Sequence, residues 1–178
     1  MVRPSSESNE DVMLLVRNNL SRIQFEPMLA AKGDPQLTHD NCSVVRSFIE
    51  ETINQGQIES ASQFVWEDVV EQVPFPGQGP GLEGLKDVLR GMRNGFPDLN
   101  FSVEEQISEE DKVLTRFEWS GTHRNEFLGV PATGQSVKVW GMVIDRLQDG
   151  RIKETRIIMD IFGLMMQLDA FTPKSPTR

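Results

Sequence analysis

The chain has 178 residues, 38% of them hydrophobic, and a formal net charge of −9. This length suits one domain with a short appendage, and the acidic balance sets the chain against nucleic acid and anionic membranes as partners, because both repel it. Cys42 is the only cysteine, so no intrachain disulfide can form and cysteine usage does not constrain the redox compartment.

The N-terminal Met1-Val2-Arg3-Pro4-Ser5-Ser6 lacks the apolar core of a signal peptide. No apolar run approaches the length of a membrane span. A soluble, cytoplasmic protein is the expectation. Residues 1–40 read as an N-terminal extension with one amphipathic helix: Ser8-Asn9-Glu10-Asp11 has capping-box spacing, and Val12, Val16, Leu20 and Ile23 fall on one helical face. Pro27 ends or bends that helix, and Gly33-Asp34-Pro35 is a break.

The domain proper is expected over 41–170. Asp40 or Asn41 is placed to cap its first helix, whose buried stripe is Val45, Phe48, Ile49, Thr52 and Ile53, with Gly56 as its stop. Ile58 to Phe64 reads as a shorter helix and Val65 to Val73 as a short extended piece. The breaker-rich Pro74-Phe75-Pro76-Gly77-Gln78-Gly79-Pro80-Gly81 is a loop, either a plain connector or the border of a binding site. Leu82, Leu85, Leu89 and Met92 define a third helix, ended by Gly95.

From Leu99 onward the hydrophobic period changes to two. Leu99, Phe101 and Val103 form one strand face, and Val113, Thr115, Phe117 and Trp119 form the next, after a turn at Glu109-Glu110-Asp111. In the following strand Val137, Val139, Gly141 and Val143 share one face and Trp140, Met142 and Ile144 the other, so both faces call for cover. Asp149-Gly150 supplies a tight hairpin turn. A last strand runs to Met159, a short apolar helix follows from Ile161, and 171–178 reads as a disordered, Pro-containing tail. Helices first and an antiparallel meander after them predict an α+β fold: a cone-like curved antiparallel sheet packed on three helices, with the extra N-terminal helix. Such a cone encloses a natural small-molecule site.

The chain resembles the SnoaL-like polyketide cyclases and related predicted ester cyclases, whose cone-shaped fold is shared with nuclear transport factor two and ketosteroid isomerase. The resemblance covers about residues 41–170. It is carried by Asn41 to Gly56, Gly81-Leu82-Glu83-Gly84-Leu85-Lys86, Phe96-Pro97-Asp98-Leu99, Gly121-Thr122-His123, Phe127 to Gly134, Asp149-Gly150-Arg151-Ile152, and Asp160 through Gln167-Leu168. The resemblance implies a ring closure by intramolecular aldol chemistry without metal or cofactor, with an aspartate of the last strand as general acid/base. Asp160 occupies that position. The family's pocket His and Gln fall at Val143 and Gly141, so both polar partners are replaced. A polar Asn or His of the family falls near Glu71 or Gln72, and a frequent Trp falls at Arg156.

A carboxylate serves as base if apolar neighbours raise its pKa. Asp160 has Met159, Ile161 and Phe162 beside it, but it also sits where an Asp caps a helix, and one residue can do both. Arg156 lies four residues before Asp160, on one face with Glu154 and Ile158. It is placed either to hold an anionic group in the cavity or to pair with Glu118 or Glu154. Expected ligand contacts are Gln72, Glu71, Arg156, Trp140, Val143 and Phe117. His123 reads as a surface or turn residue, and Trp119 and Trp140 as core or dimer contacts. The chain has no Tyr, so a tyrosine oxyanion hole cannot be built. Two histidines and one cysteine far apart give no recognisable metal site. Two readings stand: a cofactor-independent cyclase or isomerase acting on a carbonyl-containing, hydrophobic small molecule with Asp160 as acid/base, or a non-catalytic ligand-binding or dimeric module. A homodimer through Trp140, Met142 and Ile144 is expected, because apolar residues on the sheet's outer side need cover.

Overall fold

The computed structural model of the protein describes residues 35–171. The expected N-terminal helix with Val12, Val16, Leu20 and Ile23, and the tail from residue 172, lie outside the described residues. The first helix, α1, spans Pro35–Ser47. It starts before the expected caps: proline's fixed φ suits the first helical position, and Asn41 lies inside the helix, donating from Nδ2 to Glu110 O at 3.3 Å. α1 continues into a wider π-helical stretch, Phe48–Asn54, closed where Gln55 N–H donates to Glu50 O at 2.9 Å. Val45, Ile49, Thr52 and Ile53 are buried along this run. Gly56 ends it at φ +70°, a conformation that costs glycine little.

A 3-10 turn, Ile58–Ser60, leads into α2, Ala61–Phe64. Strand β1 is Val65–Glu71, α3 is Gly81–Gly95, and β2 is Asn100–Glu109. β3 (Lys112–Thr122), β4 (Ser136–Gln148), β5 (Arg151–Met159) and α4 (Ile161–Gln167) complete the order. The five strands form one curved, unclosed sheet in the order β1-β5-β4-β3-β2. β1 joins β5 in parallel, and every other pair is antiparallel.

The alternation expected for β3 and β4 holds. Val113, Thr115, Phe117 and Trp119 are buried, as are Val137 and Val139, while Trp140, Met142 and Ile144 point outward and stay exposed. The helices cover the inner face. α3 buries Leu82, Leu89 and Met92, and its Arg93 fastens the end of the first helical run by donating to Ile53 O and Asn54 O. These contacts leave the middle of the inner face open beneath α1 and α3.

Candidate functional site

The open region is a cavity of about 90 Å³ between the helices and the inner sheet face, lined by twenty residues of which only Glu71, Gln78, Asp145 and Thr155 are polar. Three of the four polar groups share one rung of the sheet. Thr155 of β5 is the register partner of Glu71 on β1 and of Asp145 on β4. Neighbouring strands lie about 4.8 Å apart, so the backbones bearing the two carboxyls are separated by roughly 10 Å and their side chains converge above Thr155.

Asp145 is 5% exposed. Burial pushes its carboxyl up to about 7, against a hydrogen bond from Thr155 that lowers it, with the charge of Glu71 adding to the rise. Burial also raises Glu71, but less one-sidedly, because backbone amides of Val73, Ile157 and Gln72 favour its ionised form. One of these bonds, Val73 N–H to Glu71 Oε1, is 2.9 Å. Burial therefore lifts both carboxyls in this apolar rung, Asp145 to about 7, while at Glu71 three backbone amides oppose part of the rise.

The sequence expectations divide over this site. Glu71, Val143 and Phe117 come together in the cavity lining. Gln72, Arg156 and Trp140 do not. The face of β5 that carries Glu154, Arg156 and Ile158 is the outer one, because Thr155, Ile157 and Met159 take the inward positions. Arg156 there donates to Gln72 Oε1, and the pairing expected between Arg156 and Glu154 is replaced by one between Arg146 and Glu154 at 2.9 Å. Trp140 is 51% exposed on the outer face.

Asp160 is the N-cap of α4: its Oδ1 accepts from Gly163 N–H at 2.8 Å. It is not among the residues that line the cavity. Asp145 went unselected in the sequence, although it continues the inward alternation Val137, Val139, Gly141, Val143 by one more step. An acid at the end of an apolar stripe was the available signal.

At Gly141 the packing leaves no room for a polar side chain, while Val143 puts an apolar one on the cavity wall. An added Cβ at Gly141 would lie 2.6 Å from Phe117 Cζ and 2.8 Å from Ile158 O. The Phe117 ring fills the space that a side chain at 141 would take. His123, expected as a surface or turn residue, is fully buried. It stacks on Phe96 with ring centroids 5.1 Å apart, and its Nδ1 accepts from Thr133 N–H at 3.3 Å. It anchors the loop before β4 and does not line the cavity. Trp119 is core. Among the described residues no group of three or more His, Cys, Asp or Glu side chains is placed to hold a metal ion.

A curved α+β sheet enclosing an apolar cavity with a few convergent polar groups defines a small-molecule pocket protein. The family pattern of the SnoaL-like polyketide cyclases matches residues 43–168, and the chain belongs to that family. Among solved structures it is similar to TsrD from Streptomyces laurentii, at 25% identity and a TM-score of 0.69 over 75% of this chain and 97% of that one. Wild-type IdmH from Streptomyces antibioticus shares 28% identity at a TM-score of 0.65, over 72% of this chain and 98% of that one. A SnoaL-like polyketide cyclase from Agrobacterium tumefaciens, at 21% identity and a TM-score of 0.61 over 72% and 97% of the two chains, shares the fold. No curated protein matches the chain. No described helix is long and apolar enough to cross a membrane.

Proposed function

We propose that the protein is a cofactor-independent, aldol-type cyclase or isomerase for a hydrophobic, carbonyl-containing small molecule, with Glu71 as base and Asp145 as acid. The observation that carries this reading is the Asp145 carboxyl, buried among apolar side chains on one rung with a second carboxyl. Glu71 removes a proton from the carbon beside the substrate carbonyl, and the electron pair moves onto the carbonyl oxygen. Asp145, still protonated, donates a hydrogen bond to that oxygen. In a cyclisation the enolate carbon then attacks a second carbonyl of the same molecule, and the new alkoxide takes the proton back from Glu71. The apolar lining excludes water and strengthens both interactions.

Asp160 then serves the helix, and its carboxylate is committed to Gly163 N–H. The test uses β-tetralone, an uncharged ketone with acidic α-protons, in deuterium oxide. The wild-type protein is expected to accelerate deuterium entry at the α-carbon. Asp145→Asn and Glu71→Gln are each expected to lose on the order of 10²-fold, while Asp160→Asn keeps the rate. The rate should fall as pH rises through about 7, where Asp145 loses its proton, and fall again on the acid side as Glu71 gains one. Loss of exchange in Asp160→Asn with Asp145→Asn unaffected would return the role to Asp160.

A second reading is favoured by the sixteen apolar residues among the twenty that line the cavity: a non-catalytic site for a hydrophobic ligand. Tight β-tetralone binding by the wild-type protein with no acceleration of exchange selects it. Under either reading we propose a homodimer that covers the exposed outer face of the sheet.

A further inference from the structure

The inner cavity is smaller than the room a single ring needs. Its volume is about 90 Å³, whereas an apolar cavity of about 150 Å³ holds one benzene. A substrate with more than one ring must extend beyond it. A groove of about 330 Å³ lies alongside, between the 74–79 loop, α3 and the 126–128 turn. The two spaces share four wall residues, Phe75, Gln78, Val88 and Met92. Together they approach the few hundred Å³ typical of ligand sites.

The shared wall is a built turn. Phe75 N–H donates to Gln78 Oε1, and Gln78 N–H donates to Phe75 O, each at 2.9 Å. Both residues line the two spaces. On α3, Gly91 lines the groove, and a Cβ there would meet nothing within 4 Å, so this part of the floor is bare helix. The far wall carries Phe127 and Leu128, and Leu128 is 44% exposed. Neither space has Lys, Arg or His among its described lining residues. Asp87, one of the groove's two acids, is already paired with Arg90 at 2.8 Å. An anionic group finds no partner here, and an apolar, uncharged one finds Leu128, Val88 and Phe75.

We propose that this groove is the outer subsite of the ligand site and holds the uncharged second ring of a substrate whose carbonyl lies between Glu71 and Asp145. The proposal rests on the acid–base reading of the inner end. It makes Gly91 a specificity-determining position: a side chain there starts from open space and projects into the subsite.

The experiment uses prodan, an uncharged dimethylamino-naphthyl ketone whose emission moves to the red when its carbonyl accepts a hydrogen bond. Wild-type protein is expected to bind it with red-shifted emission relative to an apolar solvent. Gly91→Trp is expected to weaken binding by roughly tenfold or more, and Gly91→Ala to stay within about twofold. Leu128→Asp, acting from the opposite wall, should weaken binding in the same direction. Thermal melts of all three variants report whether the fold is intact. Asp145→Leu should shift the emission to the blue. If Gly91→Trp and Leu128→Asp leave the affinity unchanged while Asp145→Leu shifts the emission, the groove is not the subsite and the inner reading stands. If the two groove variants weaken binding and Asp145→Leu leaves the emission unchanged, the groove holds the ligand and the acid–base reading has failed. Absence of prodan binding to the wild-type protein overturns the proposal.

Discussion

At Asp145 the desolvation of a carboxylate outweighs what one hydroxyl can return. Thr155 supplies a hydrogen bond, yet the carboxyl still rises from 3.8 to about 7. Between those two values the folded chain binds a proton that the unfolded chain has released. Stability therefore falls as pH rises through this window, by an amount on the order of 4 kcal/mol once the window is crossed. Asp145→Asn carries no charge in either state and escapes the loss. Chemical denaturation should show the variant close to wild type at about pH 4 and more stable than it at about pH 8. An equal difference at the two pH values would sink the assignment. Thr155→Val removes the interaction that favours the anion, so Asp145 should titrate higher still, and the alkaline limb of the exchange profile should move up with it. This residue was legible in principle. The alternation along β4 reaches it, but reading it as inward requires knowing that β4 stays regular through 145 before the pairing shifts between Arg146 and Leu147.

Among the elements, α4 shows how one acid can be explained entirely by its helix. A seven-residue helix is too short to stand on propensity, so its cap and its packing hold it. Leu164 and Leu168 are buried against the sheet, and Gln167 clasps β4 through Lys138 N–H and Lys138 O, at 2.9 and 2.8 Å. Asp160→Ala is expected to cost about 1 kcal/mol, and Asp160→Asn only a few tenths, since Asn caps as well as Asp does. Gly163→Ala should be at least as damaging, because its Cβ would press into the Asp160 carboxylate. Equal losses for Asp160→Asn and Asp160→Ala in urea denaturation would mean that the charge, and not the cap, was holding the helix. The elements themselves were largely readable, since hydrophobic periods of 3.6 and 2 mark α3, β3 and β4 plainly. The start of α1 was not, because Asp and Asn at 40 and 41 are good caps by type but fall inside a helix that Pro35 begins. The inward face of β5 was not readable either. A single strand with apolar residues on both faces does not say which side meets the helices, and only pairing with β4 and β1 decides it. That ambiguity is why Arg156 and Gln72 were grouped with the cavity and Thr155 was not.

At the scale of the molecule, the outer face of the sheet is the largest unexplained feature. Trp140, Met142, Ile144 and Ile158 are each between 39% and 64% exposed, and they lie on adjacent strands: Met142 pairs with Ile158 and Ile144 with Arg156. Three of the cations around them are paired within the chain, while Arg156, opposite Ile144, donates to the neutral Gln72. Arg116 pairs with Glu105 at 3.4 Å, Lys138 with Glu118 at 3.1 Å and Arg146 with Glu154 at 2.9 Å. A face that is apolar at its centre, with most of its rim charges paired within the chain, suits a second copy of itself better than a charged partner, despite the −9 that each chain carries. Association driven in this way should persist or strengthen in salt, because screening relieves the repulsion between two acidic chains. Covering each of these half-exposed side chains contributes about half of the roughly 1.5–3 kcal/mol of a full burial, and a two-fold contact counts each of them twice. Trp140→Glu combined with Ile158→Glu is therefore expected to give a monomer of unchanged melting cooperativity at micromolar concentration. Sedimentation equilibrium checks it: a wild-type protein that is already monomeric, or a double variant that remains dimeric, would place the interface elsewhere or nowhere.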